Sequence, residues 1–314
     1  MIALRNPSTS ALALAAALMA PVTVTRADTP LIRSGINEEI LSAALDPGDM
    51  KIVLENIIKT ALFGDLRHQS ALYPNSDALM RGLERDEFDV FAMTTIPYIK
   101  NIGRAMEPAM VLQSNGKKTQ QYVLLANAAE SAGKTLADFR GAEVAVIDNG
   151  VNDLIHIWLD VALGRIGLPK GEDYFGTVVR SEKPNEAAIP VYFGKRDLCL
   201  ISTDHWQMLA ELNPKMKERL RVVATSPEMV VGLLLFRAGL APDLKVRSRD
   251  ALLRLHESPE GEQILRFGQI EKLVPVAEGD MDSALDIYEE YQQLGRSLGE
   301  PADLVSGNNN GEPN

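Results

Sequence analysis

The residue types that most often carry out catalysis are sparse in this sequence and form no catalytic pattern. The four histidines lack the close spacing of a metal protease; they are His68, His156, His205 and His256. A Gly-Lys-Thr triplet at residues 133–135 lacks the glycine that a phosphate-binding loop carries five residues earlier, where Ala128 stands. No Gly-x-Ser-x-Gly nucleophile motif occurs. The sequence therefore predicts a protein that is not an enzyme and needs no cofactor.

Short apolar strands alternate with amphipathic helices from Leu31 onward, and these elements must position any binding site. The predicted strands are 31–36, 68–73, 89–93, 109–112, 122–126, 143–147, 177–179, 197–201, 220–224 and 229–236. The predicted helices are 49–63, 76–85, one containing Tyr98, 153–166, 185–193, one beginning near Asp204, 249–256, 259–267 and 281–298. This alternation is typical of an α/β protein with mainly parallel sheets, whose ligands bind at the carboxyl ends of strands.

The chain order predicts two lobes, each a mixed, mainly parallel sheet flanked by helices, with a ligand cleft between the lobes. An Asn-Gly pair at residues 115–116 marks a turn, after which the chain is expected to leave the first lobe. We assign residues 28–119 and 225–298 to lobe 1 and residues 120–224 to lobe 2. Two linking strands near Tyr122 and Ala224 would then allow the lobes to hinge. Residues 299–314 are rich in Gly, Asn and Pro, and we predict a disordered tail there.

The first 27 residues have the pattern of a cleaved secretory signal peptide. Arg5 precedes a nearly continuous apolar run at residues 11–24, which is too short for a convincing membrane span. Thr25 and Ala27 supply the small residues that signal peptidase needs, so cleavage is predicted after Ala27. The alternative is a buried N-terminal helix, but an uncharged, alanine-rich helix has no polar face for water. We therefore expect a mature protein that is free in the periplasm or secreted.

Charge and cysteine content narrow the possible partners. The full chain carries 43 Asp and Glu against 32 Lys and Arg, for a net charge of −11. Such a chain repels nucleic acid and anionic membranes, so we expect neither as a partner. Cys199 is the only cysteine and lies in an apolar stretch, where a small hydrophobic role is expected. The protein is expected to be a monomer that binds a small molecule.

Three segments resemble the phosphate/phosphite/phosphonate-binding group of type II periplasmic solute-binding proteins. Residues 135–141 (TLADFRG) followed by 144–148 (VAVID) are similar to a segment that opens the second lobe in that group. Residues 185–189 (NEAAI), followed by Val191, Gly194 and Asp197, resemble a second segment. Residues 89–91 with Pro97 and Tyr98 resemble a third, in which family members place a tyrosine near the ligand. The resemblance implies a two-lobed fold and capture of a small ligand for an ABC importer with an inner-membrane permease.

The resemblance also implies candidate ligand-binding residues, which are Tyr98, Tyr122, Asn152, Asp153, Glu186 and Asp204. Family members hold the phosphonate with a run of hydroxyls at a helix N-terminus, and Val151, Asn152 and Asp153 occupy that run here. Phosphonate is therefore doubtful as the ligand, since an aspartate at this position would repel an anion by roughly 4 kcal/mol at about 4 Å and intermediate dielectric. Glu186 and Asp204 match acids that hold the amine in aminophosphonate-binding relatives, which favours a ligand with an amine or a cation.

Each candidate also has a purely structural explanation. Glu186 is explained equally well as a first-turn acid favoured by the helix dipole, and Asp153 and Asp204 as helix N-caps. Tyr98 and Tyr122 are explained as core aromatics, as are Trp158 and Trp206. A second functional hypothesis keeps the fold but makes the protein a periplasmic partner or sensor-input protein that is not coupled to transport.

Overall fold

The computed structural model describes residues 29–39, 66–147, 154–181, 183–267 and 270–297. The predicted signal peptide, the helix predicted at residues 49–63 and the predicted tail lie outside these ranges. The described residues divide into two compact units. Among these residues, the first unit runs to Gln120 and resumes from Met229 to Asp280, and the second comprises residues 121–147 and 154–228 and resumes at Met281.

Eleven strands and ten α-helices lie in the described residues. The strands are β1 (Leu31–Asn37), β2 (Arg67–Tyr73), β3 (Val90–Thr94), β4 (Met106–Gln113), β5 (Tyr122–Asn127), β6 (Glu143–Ile147), β7 (Thr177–Ser181), β8 (Leu198–Ser202), β9 (Leu220–Thr225), β10 (Gly232–Arg237) and β11 (Lys272–Pro275). The helices are α1 (Ser76–Glu84), α2 (Thr95–Lys100), α3 (Leu154–Gly164), α4 (Gly171–Tyr174), α5 (Pro184–Tyr192), α6 (Thr203–Leu212), α7 (Lys215–Arg219), α8 (Pro242–Leu253), α9 (Pro259–Phe267) and α10 (Asp282–Ser297). Short 3-10 turns lie at Leu136–Asp138 and Leu255–Glu257.

The first unit is built on a six-stranded mixed sheet in the order β11-β4-β10-β3-β1-β2. Strands β2, β1 and β3 are parallel, whereas β10 runs antiparallel to both β3 and β4. Every residue of β3 is buried, as expected for a central strand covered on both faces. The core of this unit includes edge-to-face ring contacts of Phe88 with Tyr73 and with Phe91, each with centroids 5.2 Å apart.

The second unit is built on a five-stranded mixed sheet in the order β7-β6-β8-β5-β9. Strands β7, β6 and β8 are parallel, and β5 runs antiparallel to β8 and β9. Trp158 and Cys199 are buried in this unit, as large- and small-volume core residues respectively. The predicted mixed α/β sheets flanked by helices are thus present in both units.

The chain passes from the first unit to the second just after the predicted Asn-Gly turn. Asn115 and Gly116 have φ angles of 51° and 73°, and Ser114 and Lys117 exchange two backbone hydrogen bonds of 2.8 and 2.9 Å across them. Two positive φ angles in a two-residue loop define a type I′ turn. Gln120 and Met229, where the chain leaves and re-enters the first unit, are joined by backbone hydrogen bonds of 2.7 and 2.9 Å.

Helix α10 lies in a different unit from the one its sequence suggested. The chain order predicts residues 225–298 in lobe 1, whereas α10 packs on α3 inside the second unit. Amphipathic spacing predicts a helix and its apolar face, but it does not specify which surface that face covers. Helix α3 is apolar around most of its circumference and needs cover on more than one side, and α10 provides some of that cover.

Candidate functional site

In the first unit, polar side chains collect where the parallel strands β1, β2 and β3 end. Asn37 ends β1 opposite Tyr73, the last residue of β2. Its buried side chain donates a 3.0 Å hydrogen bond to Ser76 Oγ and accepts one of 2.9 Å from the Glu39 amide. Asn75 caps α1 by accepting a 2.9 Å hydrogen bond from the Ala78 amide. This edge is therefore an ordered set of amide and hydroxyl groups.

Tyr98 lies close to the same edge, one helical turn beyond the end of β3. Thr94 ends β3 and precedes α2 without forming a side-chain cap, while Thr95 Oγ1 donates 2.6 Å to the carbonyl of Val230. The ring of Tyr98 is half-buried, and that burial raises the pKa of its hydroxyl. Tyr98 therefore has the position that a ligand-contacting residue of this unit would need, and its role stays a prediction.

In the second unit, the ends of β7 and β8 meet the start of β5 at one edge of the sheet. Tyr122 begins β5 and pairs with Ser202, the last residue of β8. Its side chain is 1% exposed, so in this structure it belongs to the core. Its amide donates 2.8 Å to Ser226 Oγ and its carbonyl accepts 2.9 Å from the Ser226 amide. Its side chain is thus not accessible to a ligand in this structure, and a ligand contact by Tyr122 stays a prediction.

Asp204 occupies the first turn of α6 but does not cap that helix. Ser202 is the N-cap, and its Oγ accepts a 3.3 Å hydrogen bond from the His205 amide. The N-cap explanation for Asp204 is therefore wrong, because the serine two residues earlier already fills that role. Asp204 is half-buried as a residue, and its carboxylate makes no hydrogen bond or ion pair to the rest of the described chain.

Glu186 lies in the first turn of α5 and is more exposed than Asp204. Its side chain is 56% exposed, with a carboxylate oxygen 3.7 Å from Nζ of Lys183, the N-cap residue of α5. An exposed pair at this distance contributes at most about 1 kcal/mol. Glu186 is thus a first-turn acid with an exposed cationic neighbour, and its contact with a ligand stays a prediction. The remaining candidates, Asn152 and Asp153, lie with Val151 outside the described residues.

The structure adds polar groups at the second-unit edge that sequence reasoning missed. Gln121 Nε2 donates 2.9 Å to the Ser226 carbonyl, and Thr203 Oγ1 donates 3.3 Å to Gln121 Oε1. His205 is fully buried, with Nδ1 2.7 Å from Ser202 Oγ, and burial lowers its pKa to about 3. These residues are polar positions adjoining apolar strand ends, and that adjacency is the sequence signal that could have identified them.

Neither a metal centre nor a membrane span is found in the described part of the chain. Within the ranges given above, no three His, Cys, Asp or Glu side chains come close enough together to hold a metal ion. No described helix combines the length and the apolar character required to cross a bilayer.

Comparison with known proteins decides the family. Residues 54–281 match the family model described as the periplasmic substrate-binding protein of a phosphonate ABC transporter. The chain belongs to this family. No curated protein matches the sequence significantly.

Solved structures of the same fold agree with this assignment. The binding-protein component of a phosphonate ABC transporter from Pseudomonas aeruginosa is 18% identical, with a TM-score of 0.54 over 90% of this chain and 91% of that one. PhnD1 from Prochlorococcus marinus, solved with methylphosphonate, is 13% identical, with a TM-score of 0.53 over 86% and 99%. A Xanthomonas citri protein bound to ATP is 17% identical, with a TM-score of 0.58 over 87% and 99%. The predicted type II periplasmic-binding-protein fold and the predicted family are thus confirmed.

Proposed function

We propose that the protein captures a small ligand bearing an amine or another cationic group and delivers it to the permease of an ABC importer. The family consists of the substrate-binding components of such importers. The observation that supports the ligand class is the carboxylate of the half-buried residue Asp204, which is neither used as a helix cap nor paired with a described cation. A ligand that brings positive charge would supply the missing partner.

The similar structures solved with methylphosphonate and with ATP bind phosphorus-containing anions, so a ligand carrying both charges is consistent with the proposal. In such a ligand the amine would contact Asp204 and Glu186. We place Tyr98, Asn152 and Asp153 beside the ligand, whereas the side chain of Tyr122 is buried in the core and would have to leave it to make contact. A bare phosphonate would leave the two acids without a partner.

Export is part of the same proposal. Cleavage of the signal peptide after Ala27 would release a mature chain beginning at Asp28 into the periplasm. The apolar run of residues 11–24 and the small residues at the cleavage position support this step. We propose that the mature protein acts as a monomer.

A thermal-shift panel tests the ligand class. The compounds are simple amines, aminoalkylphosphonates, divalent metal ions, phosphate, phosphite and alkylphosphonates. Any compound that stabilises the protein is then titrated against Asp204→Asn and Glu186→Gln. We expect Asp204→Asn to weaken binding by about 1.5–3 kcal/mol, the range for a hydrogen bond to a charged group.

The matched control is Glu211→Gln, an exposed acid at the other end of the same helix, α6, which should leave binding unchanged. Strong stabilisation by simple alkylphosphonates that is insensitive to both site substitutions would refute the proposed ligand class. It would leave the assignment as a binding protein intact.

A further inference from the structure

Helix α3 of the second unit is apolar around most of its surface. Seven of its eleven residues are buried, and they are Leu154, Ile155, Ile157, Trp158, Leu159, Val161 and Leu163. At 100° per residue these positions span well over half the circumference, so a sheet on one side cannot cover them all. A second element must therefore shield α3 from water.

Helix α10 supplies this shield through a continuous apolar stripe. Ala284, Ile287 and Tyr288 are 0%, 1% and 5% exposed, and Tyr291 and Leu294 continue the same i, i+3, i+4, i+7 spacing. The stripe is typical of a helix that buries one face against a partner, and the partner of α10 is α3.

Three specific contacts fix α10 in place. The guanidinium of Arg165 donates to both carboxylate oxygens of Glu290 at 2.8 and 2.7 Å. The ammonium of the buried Lys170 lies 5.1 Å from the centre of the Tyr291 ring. Gly164 leaves the space that Leu294 occupies, because a Cβ at residue 164 would lie 2.4 Å from Leu294 Cδ2.

We propose that α10 acts as a clasp, by which we mean that the second unit folds only when α10 is docked on α3. Residues 229–280, which precede α10, belong to the first unit. The second unit would therefore be complete only after that stretch of the first unit has been made and α10 has docked on α3. This dependence concerns folding and holds whatever ligand the protein binds.

Hydrogen exchange followed by mass spectrometry on the full-length protein tests the clasp. Ile287→Asp places an uncompensated charge in the buried stripe, and Ile287→Ala is a milder change that leaves a cavity at the same position. The matched control is Asp286→Ala, which alters an exposed neighbour on α10. We expect exchange in α10, α3 and β6 to rise about 10- to 100-fold in the Ile287 variant, while β1, β3 and β10 of the first unit keep their protection.

Two results would overturn the proposal. Faster exchange confined to α10, with α3 and β6 unchanged, would make α10 a peripheral appendage. An equal rise in both sheets would show that the clasp is not specific to the second unit. If Ile287→Asp does not fold, Ile287→Ala must show the same pattern at smaller amplitude, and a wild-type pattern in that variant also counts against the clasp.

Discussion

Replacement of Asp89 by asparagine should destabilise the protein far more than the same change at its neighbour Asp86. Asp89 is 4% exposed and accepts four hydrogen bonds. Three come from Arg33, through its amide, Nε and Nη2 at 3.1, 3.0 and 2.9 Å, and one comes from Arg237 Nη2 at 3.0 Å. Asp86 contacts the same Arg237 at 3.1 Å, but its side chain is 70% exposed.

The expected magnitude follows from burial. Loss of one member of a buried charge pair costs about 3–5 kcal/mol, since the partner charge is left uncompensated. Arg33 is 34% exposed and Arg237 is 16% exposed, so hydration of the two guanidinium groups offsets part of this cost. We therefore expect Asp89→Asn to lower the unfolding free energy by about 3 kcal/mol. Asp86→Asn should cost no more than about 0.5 kcal/mol, as for other exposed pairs. Asparagine also tolerates the positive φ of 55° at residue 86, which makes this variant a clean control.

The difference between wild type and Asp89→Asn should also depend on pH. Burial alone would raise the pKa of Asp89, but the hydrogen bonds from Arg33 and Arg237 outweigh it and hold the pKa below its ordinary value. The carboxylate therefore stabilises the fold fully above the pKa that it has in the unfolded chain, near 4. That contribution is lost as the pH falls through the lower pKa of the folded state.

Urea-induced unfolding at neutral pH and at intervals down to about pH 3 measures both effects. Asp89 precedes β3, at the amino ends of the parallel strands and away from the edge that carries Tyr98, so ligand binding by the folded variant should be unchanged. Equal, small losses for the Asp89 and Asp86 variants would refute the argument that burial sets the magnitude.

Three further outcomes follow from the structure. Gly35→Ala should lower the unfolding free energy by about 1–3 kcal/mol, because its Cβ would lie 2.6 Å from the Phe88 ring; a loss below about 0.5 kcal/mol in urea unfolding would contradict this. His205 is neutral when folded, with a pKa near 3, and protonates in the unfolded chain below about pH 6.5. Wild-type stability should therefore fall more steeply between pH 6 and 4 than that of His205→Gln, by about 1.4 kcal/mol per pH unit, and parallel pH profiles would argue against this. N-terminal sequencing of periplasmic protein should find Asp28 first, and an intact Met1 would exclude the cleavage site.

Local pattern predicted most of the individual elements, although α8 spans Pro242–Leu253 and so begins seven residues before the helix predicted at residues 249–256. The strand predicted at residues 143–147 is β6, and the strand predicted at 122–126 is β5 with one more residue. Their boundaries are accurate since strong apolar runs end at turn residues. Strand β11 was missed because Lys272–Pro275 is four residues long and includes a proline, which gives too short a pattern to recognise.

Long-range packing could not be predicted in the same way. The amphipathic stripe of α10 was visible in the sequence, but its partner α3 lies more than 100 residues earlier in the chain. The placement of α10 depends on Gly164 and on the Arg165–Glu290 pair, and no local rule connects those positions. The same limit explains why Ser202 and His205 were missed, since their significance comes from the sheet edge at which β8 ends.

The capping role of Ser202 changes the relative weight of the two acids proposed to meet a cationic ligand. Glu186 has Lys183 within 3.7 Å and is mostly exposed, so water and the lysine already compensate its charge. Asp204 is more buried than Glu186, and the N-cap of α6 is Ser202 rather than Asp204. The remaining structural explanation for Asp204 is interaction with the α6 dipole, which is worth about 0.3–1 kcal/mol. The dipole explanation predicts that Asp204→Asn lowers stability by that amount and leaves affinity unchanged. The ligand explanation predicts a loss of affinity with unchanged stability of the free protein, because without ligand the carboxylate makes no hydrogen bond or ion pair to the described chain that the substitution could remove.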